Sequence, residues 1–217
     1  MNIAVRKFFG EHKFDKLFTY EEFIKYSENK IKNSNIEELS QREKIYLEYS
    51  KINLQRTNRI TKTFRPNQQL VDIFQNLNFP QNWIIITEDW CGDSAQNLPY
   101  FIKYAEYQSK INVIIILRDK NLSAIDNYFN SPTAKGIPKI ISFDENGNEL
   151  FTWGPRPKFA QDLVNQLKAE GYSKEEFNEQ LHLWYGRNRG KELELEMINL
   201  FSDVLNRTKI VNPSAPE

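Results

Sequence analysis

Two short apolar runs, Trp83-Ile84-Ile85-Ile86 and Val113-Ile114-Ile115-Ile116-Leu117, constrain this chain more than any other feature. Neither alternates apolar with polar residues, so each reads as a strand covered on both faces. Between them, over about residues 93–108, Leu98, Phe101, Ile102 and Ala105 fall on one face of a helix. Parallel strands need a crossover of that kind. Strands 83–87 and 113–117 are therefore expected to be parallel neighbours in an α/β sheet, with 83–87 away from its edge.

The pattern continues in both directions. A helix is expected over about residues 122–130, then a strand at 139–143. The stretch Asp144-Glu145-Asn146-Gly147-Asn148 carries an Asn-Gly turn signal, and residues 149–153 return as the second arm of a hairpin. A helix with Phe159, Leu163 and Leu167 on one face follows. Upstream, Thr19-Tyr20-Glu21-Glu22 is a capping box that opens a helix with Tyr20, Phe23, Ile24 and Ile31 on one side. A longer helix is expected from about Ile36 to Phe64, with Ile45, Tyr49 and Ile52, then Ile60 and Phe64, as its apolar face. The two form a helical hairpin joined near Asn33-Ser34-Asn35. Pro66 starts the next helix, striped with Leu70, Ile73, Phe74 and Leu77. Downstream, Gly171 breaks the chain and Ser173-Lys174-Glu175-Glu176 opens another helix. The last helix carries Leu193, Met197, Leu200, Phe201, Val204 and Leu205 on one face, with Glu194, Asn199 and Asp203 facing away. The expected organisation is an N-terminal helical extension (1–65), an α/β core (66–170), a C-terminal helical extension (171–208) and a flexible tail (209–217).

Composition excludes several classes. The 217 residues are 40% hydrophobic, with 29 basic and 29 acidic residues, so nothing points to a nucleic-acid or membrane-surface protein. No apolar run approaches the ~18–20 residues that span a bilayer. The first ten residues lack the apolar stretch and cleavage site of a signal peptide. The cytoplasm is the expected location, and a single cysteine fits a reducing compartment.

That cysteine, Cys91, falls where strand 83–87 gives way to a helix. Unpaired N–H groups and the helix dipole at such a junction favour a thiolate. Glu88, Asp89 and Asp93 would oppose it if close. A free cysteine can equally be a small buried apolar residue. Asp93 reads either as a first-turn acid placed by the dipole or as a group that tunes the thiol. Ser94 reads either as a first-turn serine or as a donor to the sulfur. His12 and His182 have no metal-like partner at short spacing and read as structural. Arg56, Arg59 and Arg65 read as the exposed side of a helix, and Arg187, Arg189 and Lys191 as a solvated basic cluster.

Trp90-Cys91-Gly92-Asp93-Ser94 resembles the Trp-Cys-Gly-Pro-Cys motif of the thioredoxin-like family. Three further landmarks agree in order and spacing. Pro99 matches the proline that kinks the following helix, Gly136-Ile137-Pro138-Lys139 the cis-proline loop, and Gly154 the glycine after the last strand. The resemblance covers about residues 66–170, as a single-cysteine, bacterial-type variant with extra helices at both ends. It implies a thioredoxin-like fold, a mixed four-stranded sheet flanked by helices.

Two departures are mutually consistent. Ser94 replaces the resolving cysteine, and Ile85 stands where thioredoxins carry the buried aspartate that serves it. The resemblance thus implies a monothiol. Cys91 and Ser94 would be the catalytic residues, and Trp90, Gly92, Asp93, Ile137, Pro138 and Gly154 would line a substrate groove that pairs with an extended partner strand. No metal or other cofactor is expected. The expected activity is thiol–disulfide exchange through a mixed disulfide on Cys91, released by an external thiol. In logic, though not in motif, that is similar to monothiol glutaredoxins and bacilliredoxins. Expected partners are protein or low-molecular-weight disulfides and thiols. The alternative is a non-catalytic module that keeps the groove for protein contact.

Overall fold

The four expected strands form, and the first two start two residues earlier than their apolar runs. They are β1 (Gln81–Thr87), β2 (Ile111–Leu117), β3 (Lys139–Asp144) and β4 (Glu149–Trp153). The computed structural model describes residues 3–129 and 135–211. The sheet order is β2-β1-β3-β4. β1 lies parallel to β2, with Ile85 opposite Ile115, and antiparallel to β3, with Ile85 opposite Ile140. β3 and β4 form the antiparallel hairpin.

All seven residues of β1 are buried, because helices cover both faces of the sheet. Its side chains alternate between two cores. Trp83 and Ile85 join Ile115, Ile140 and Phe151 in the larger core, while Ile84 and Ile86 join Ile114, Ile116 and Ile141 in the second. β2 is an outer strand. Its outer edge is shielded at one point, where Phe18 exchanges backbone hydrogen bonds with Ile115 at 2.9 and 2.8 Å.

The helical hairpin consists of α2 (Tyr20–Asn33) and α3 (Gln41–Thr63). α3 does not begin at Ile36. A 3-10 turn over Ile36–Glu38 is followed by extended Leu39, and Ser40 restarts the chain with a capping box to Glu43. The expected apolar stripe is buried only towards its end, at Ile60. Ile45, Tyr49 and Ile52 are exposed, whereas Leu47, Ser50, Asn53, Thr57 and Ile60 face inward. The reason is what α3 covers. It lies on the start of α5 (Gly92–Ala105), where backbone groups need partners, and Asn53 Nδ2 donates to Asp89 O at 3.1 Å. Small polar residues fit that contact better than branched apolar ones.

Four other helices differ from expectation. α5 stops at Ala105 rather than near residue 108, because its last turn tightens into hydrogen bonds from Tyr107 N to Tyr104 O and from Gln108 N to Ala105 O. α1 (Ile3–Phe9) was not foreseen, because seven residues are too few to show a period. It presses Ala4, Val5, Phe8 and Phe9 onto the second face of the sheet. α6 (Leu122–Ile125) passes into a 3-10 turn at Asp126–Tyr128 instead of running to residue 130, which lies outside the described residues. α7 (Lys158–Ala169) buries Ala160, Val164 and Leu167, and Phe159 is 58% exposed. The inward face is the one that meets Leu181 and Tyr185 of α8 (Lys174–Asn188).

The last helix, α9 (Lys191–Val211), buries Leu193, Met197, Phe201 and Val204, with Leu200 and Leu205 packed at the margin. It lies along α4 (Gln68–Asn76). Phe201 sits against Phe74, Trp83 and Phe151, with ring centroids 4.5, 5.7 and 5.1 Å away. Glu194 does not face away from the protein. Its Oε1 accepts from the backbone N of Asn67 at 2.9 Å, at the start of α4. Of the expected tail (209–217), residues 209–211 instead continue α9, and the rest lies outside the described residues. No helix among the described residues is long and apolar enough to cross a membrane.

Candidate active site

β1 ends at Thr87, and a turn of three residues delivers Cys91 to the N-cap of α5. Cys91 N donates to Glu88 O at 3.2 Å, and Ala95 N donates to Cys91 O at 3.1 Å. No side chain caps α5, so its first N–H groups are directed to the sulfur. The thiol faces the loop before β3, and Sγ donates to Ile137 O at 3.2 Å. The Ile137–Pro138 and Gly154–Pro155 peptide bonds are cis. Gly154, at φ +121°, lies directly on this loop: a Cβ there would come 2.0 Å from Pro138 O. Cys91, Gly92, Asp93, Ser94, Ile137, Pro138 and Gly154 are therefore brought together.

The opposing influences on the thiol are resolved by burial. Desolvation pushes the Cys91 pKa up to about 11, and the Asp93 carboxylate adds to the rise. The Ser94 side chain and the N–H groups of Ser94 and Asp93 act in the opposite sense but do not offset it. Cys91 is a protonated thiol at neutral pH. Of the three acids expected to disfavour a thiolate, Asp93 is the one that acts. Asp89 is held by Lys30 at 2.8 Å. Glu88 turns aside, and its Oε1 accepts from Asp119 N at 2.7 Å. Burial pushes the Glu88 carboxyl up to about 7 despite that bond.

Asp93 is more than a first-turn acid. Its Oδ1 accepts from the Tyr185 hydroxyl at 2.7 Å, and its Oδ2 accepts from Arg156 Nε at 3.1 Å and from Arg156 Nη2. Asn97 Nδ2 donates to the same Tyr185 oxygen at 3.0 Å. This cluster fastens the first turn of α5 to α8 and to the loop after β4. Ser94 Oγ accepts from Thr87 Oγ1 at 2.7 Å, which fixes the hydroxyl beside the sulfur. Trp90 packs at the margin of the cluster that holds Cys91 and Ile137. It stacks on Tyr46 of α3 at 4.5 Å, and the Arg118 guanidinium lies 4.9 Å from its ring.

Two residues that the sequence reading set aside meet beside Cys91. His182 of α8 packs on Gly92 so closely that a Cβ there would lie 2.7 Å from His182 Cε1 and 3.9 Å from Arg56 Nη1. Arg56 of α3 is not on the exposed side of its helix. It is half-buried, with Nη1 donating to Asn53 Oδ1 at 3.0 Å and meeting His182 Nε2 at 3.3 Å. A guanidinium can only donate, so Nε2 accepts, and the neutral ring carries its proton on Nδ1. Burial lowers the His182 pKa to about 4, with Arg56 contributing. No spacing in the sequence links residues 56, 92 and 182; the packing of α3 and α8 on the start of α5 does. Among the described residues, no group of three His, Cys, Asp or Glu could hold a metal ion.

No curated protein matches the chain. Two solved structures are similar in part. One is a protein of unknown function from Pseudomonas aeruginosa, 16% identical over 91% of this chain and 99% of that one, with a TM-score of 0.47. The other is an HIV epitope scaffold, 17% identical over 91% and 100%, with a TM-score of 0.44. Neither likeness bears on activity. A family model described as Thioredoxin matches residues 40–168, more than half of the chain and every strand of the sheet. The chain belongs to the thioredoxin family.

Proposed function

We propose that this protein carries out monothiol thiol–disulfide exchange through Cys91. The observation that carries the reading is the setting of the sulfur. It sits at the uncapped N-terminus of α5, hydrogen-bonded by Ser94 and by the N–H groups of Asp93 and Ser94, and 3.2 Å from Ile137 O. Those donors stabilise a sulfur anion once it forms. The thiolate attacks one sulfur of a disulfide, a Cys91–S–S–R bond forms, and the other half leaves as a thiolate that takes up the proton Cys91 gave up. Cys91 is oxidised and the departing sulfur is reduced. With Ser94 at the resolving position, a second, external thiol completes the cycle. Trp90, Gly92, Asp93, Ile137, Pro138 and Gly154 would line the approach, and the partners are protein or low-molecular-weight disulfides and thiols. The 66–170 core would supply this chemistry and the helices on either side would cover it, in a cytoplasmic setting.

The burial of the thiol favours a second reading, a thioredoxin-fold binding module without redox chemistry. Intact-mass measurement after exposure to a small disulfide separates the two. Exchange requires one adduct on Cys91, forming faster as pH rises, accumulating without external thiol and absent in Cys91→Ser. A native Cys91 that stays free at every pH, while the denatured chain reacts, leaves the binding module.

A further inference from the structure

The pair Arg56–His182, packed on Gly92, has no task in the exchange reading. Arg156, the other cation nearby, is occupied: Asp93 and Gln161 Oε1 take its N–H groups. Lys30 is taken by Asp89, and Arg118 by Asp119. Arg56 is different. It is half-buried, its Nη1 donates to a neutral amide and a neutral imidazole, and among the described residues it reaches no carboxylate. His182 cannot supply the missing negative charge, and its buried Nδ1–H has no acceptor among the described residues. The guanidinium is half-buried, and beyond Nη1 its N–H groups have no partner among the described residues, so an anion that reaches it gains both charge and hydrogen bonds.

The place of the pair identifies what the anion belongs to. Arg56 Nη1 and the His182 ring converge on Gly92, the residue after the reacting cysteine. A group bound there would be part of the molecule whose sulfur meets Cys91. The two side chains come from α3 and α8, so neither the sheet nor α5 supplies this feature.

Resting on the exchange reading, we propose that the substrate of Cys91 is a small disulfide or thiol carrying a carboxylate, held by Arg56, with His182 positioning the guanidinium. In this step R–S–S–R, with R ending in a carboxylate, gives Cys91–S–S–R and R–SH, the released thiol taking the proton from Cys91. The chain as a whole has zero net charge, so a preference for anions must come from the local field and not from overall attraction.

Three disulfides of similar length test this: dithiodiglycolate, hydroxyethyl disulfide and cystamine, which are anionic, neutral and cationic. Each rate of adduct formation is divided by the rate for the same disulfide with the urea-denatured chain, which removes intrinsic reactivity. At low salt the corrected anion-to-cation ratio should be about five- to tenfold. It should fall towards one at high salt and in Arg56→Gln, and recover in Arg56→Lys. A ratio near one in the native protein at low salt, or a ratio unchanged by Arg56→Gln, overturns the inference while the mixed disulfide itself still forms. If none of the three disulfides forms an adduct, the exchange reading falls, and binding alone decides the anion site. The unreactive analogue (methylthio)acetate should then shift the ring NMR signals of His182 in the wild type and not in Arg56→Gln. No shift in the wild type overturns the site.

Discussion

Glu88 and His182 pull the stability of this protein in opposite directions as pH changes, and removing either one should expose the other. Burial holds the Glu88 carboxyl near 7 against its ordinary 4.5. Its contribution is present below 4.5 and is lost as pH rises to about 7. Burial, with Arg56, holds His182 near 4 against its ordinary 6.5. Its contribution is present above 6.5 and is lost as pH falls to about 4. Between these limits the unfolded chain binds the proton at His182 and the folded chain binds one at Glu88, so the two effects cancel. A displacement of this size is worth about 3 kcal/mol for a wholly shielded group; allowing for the water that both sites retain, about 2 kcal/mol is expected from each. Glu88→Gln keeps the acceptor for Asp119 N but removes the titration. Its stability should fall by about 2 kcal/mol as pH drops from neutral to 4. His182→Gln should show the opposite slope, losing a similar amount as pH rises. Urea unfolding of all three proteins across that range, with unchanged m-values, measures it. The capping carboxylates Glu22, Glu43 and Glu176, whose pKa values are lowered, are common to all three and drop out of the differences. Parallel profiles for the three proteins would refute the assignment of these two groups as buried and oppositely shifted.

Three further outcomes are expected. Because burial holds the Cys91 thiol near 11 and Asp93 adds to it, alkylation at neutral pH should be about 100-fold slower in the native than in the denatured chain. Asp93→Asn should move the midpoint of the rate–pH curve down, and an unmoved midpoint would exclude Asp93 as a cause. Gly154→Ala forces a Cβ onto Pro138 O at a φ of +121° and should cost about 3 kcal/mol or more. Gly171→Ala, at φ +87° with open space around it, should cost about 1 kcal/mol; equal denaturation midpoints for the two would refute the close contact. Phe201→Ala, in the aromatic cluster of the larger core, should lose about 3–5 kcal/mol. Phe159→Ala on the exposed side of α7 should stay within about 0.5 kcal/mol, and a comparable loss at Phe159 would reverse the facing of that helix.

Strand identity, strand pairing and the family were legible in the residues, because each rests on local chemistry. The unbroken runs around Ile85 and Ile115 can be stable only between two covered faces, and the Asn146-Gly147 turn allows little but a hairpin. Trp90-Cys91-Gly92 with Pro99, Pro138 and Gly154 is a pattern of backbone requirements, so it survives in one dimension. Helix facing was less legible. Ile45, Tyr49 and Ile52 satisfy the apolar period, yet the side that turns inward there, with Leu47, Ser50 and Asn53, is set by what it meets, the polar start of α5. The same holds for Phe159 and Val164 of α7. The chemistry of the thiol depended wholly on the tertiary fold. Sequence placed donors and acids near Cys91 but had no measure of how much water remains at the sulfur, and desolvation is the larger effect. His182 and Arg56 reach Gly92 only because α8 and α3 pack on α5. A sequence records which groups are available; a charge or a proton at a site responds to distance and to excluded water, and those exist only once the chain has folded.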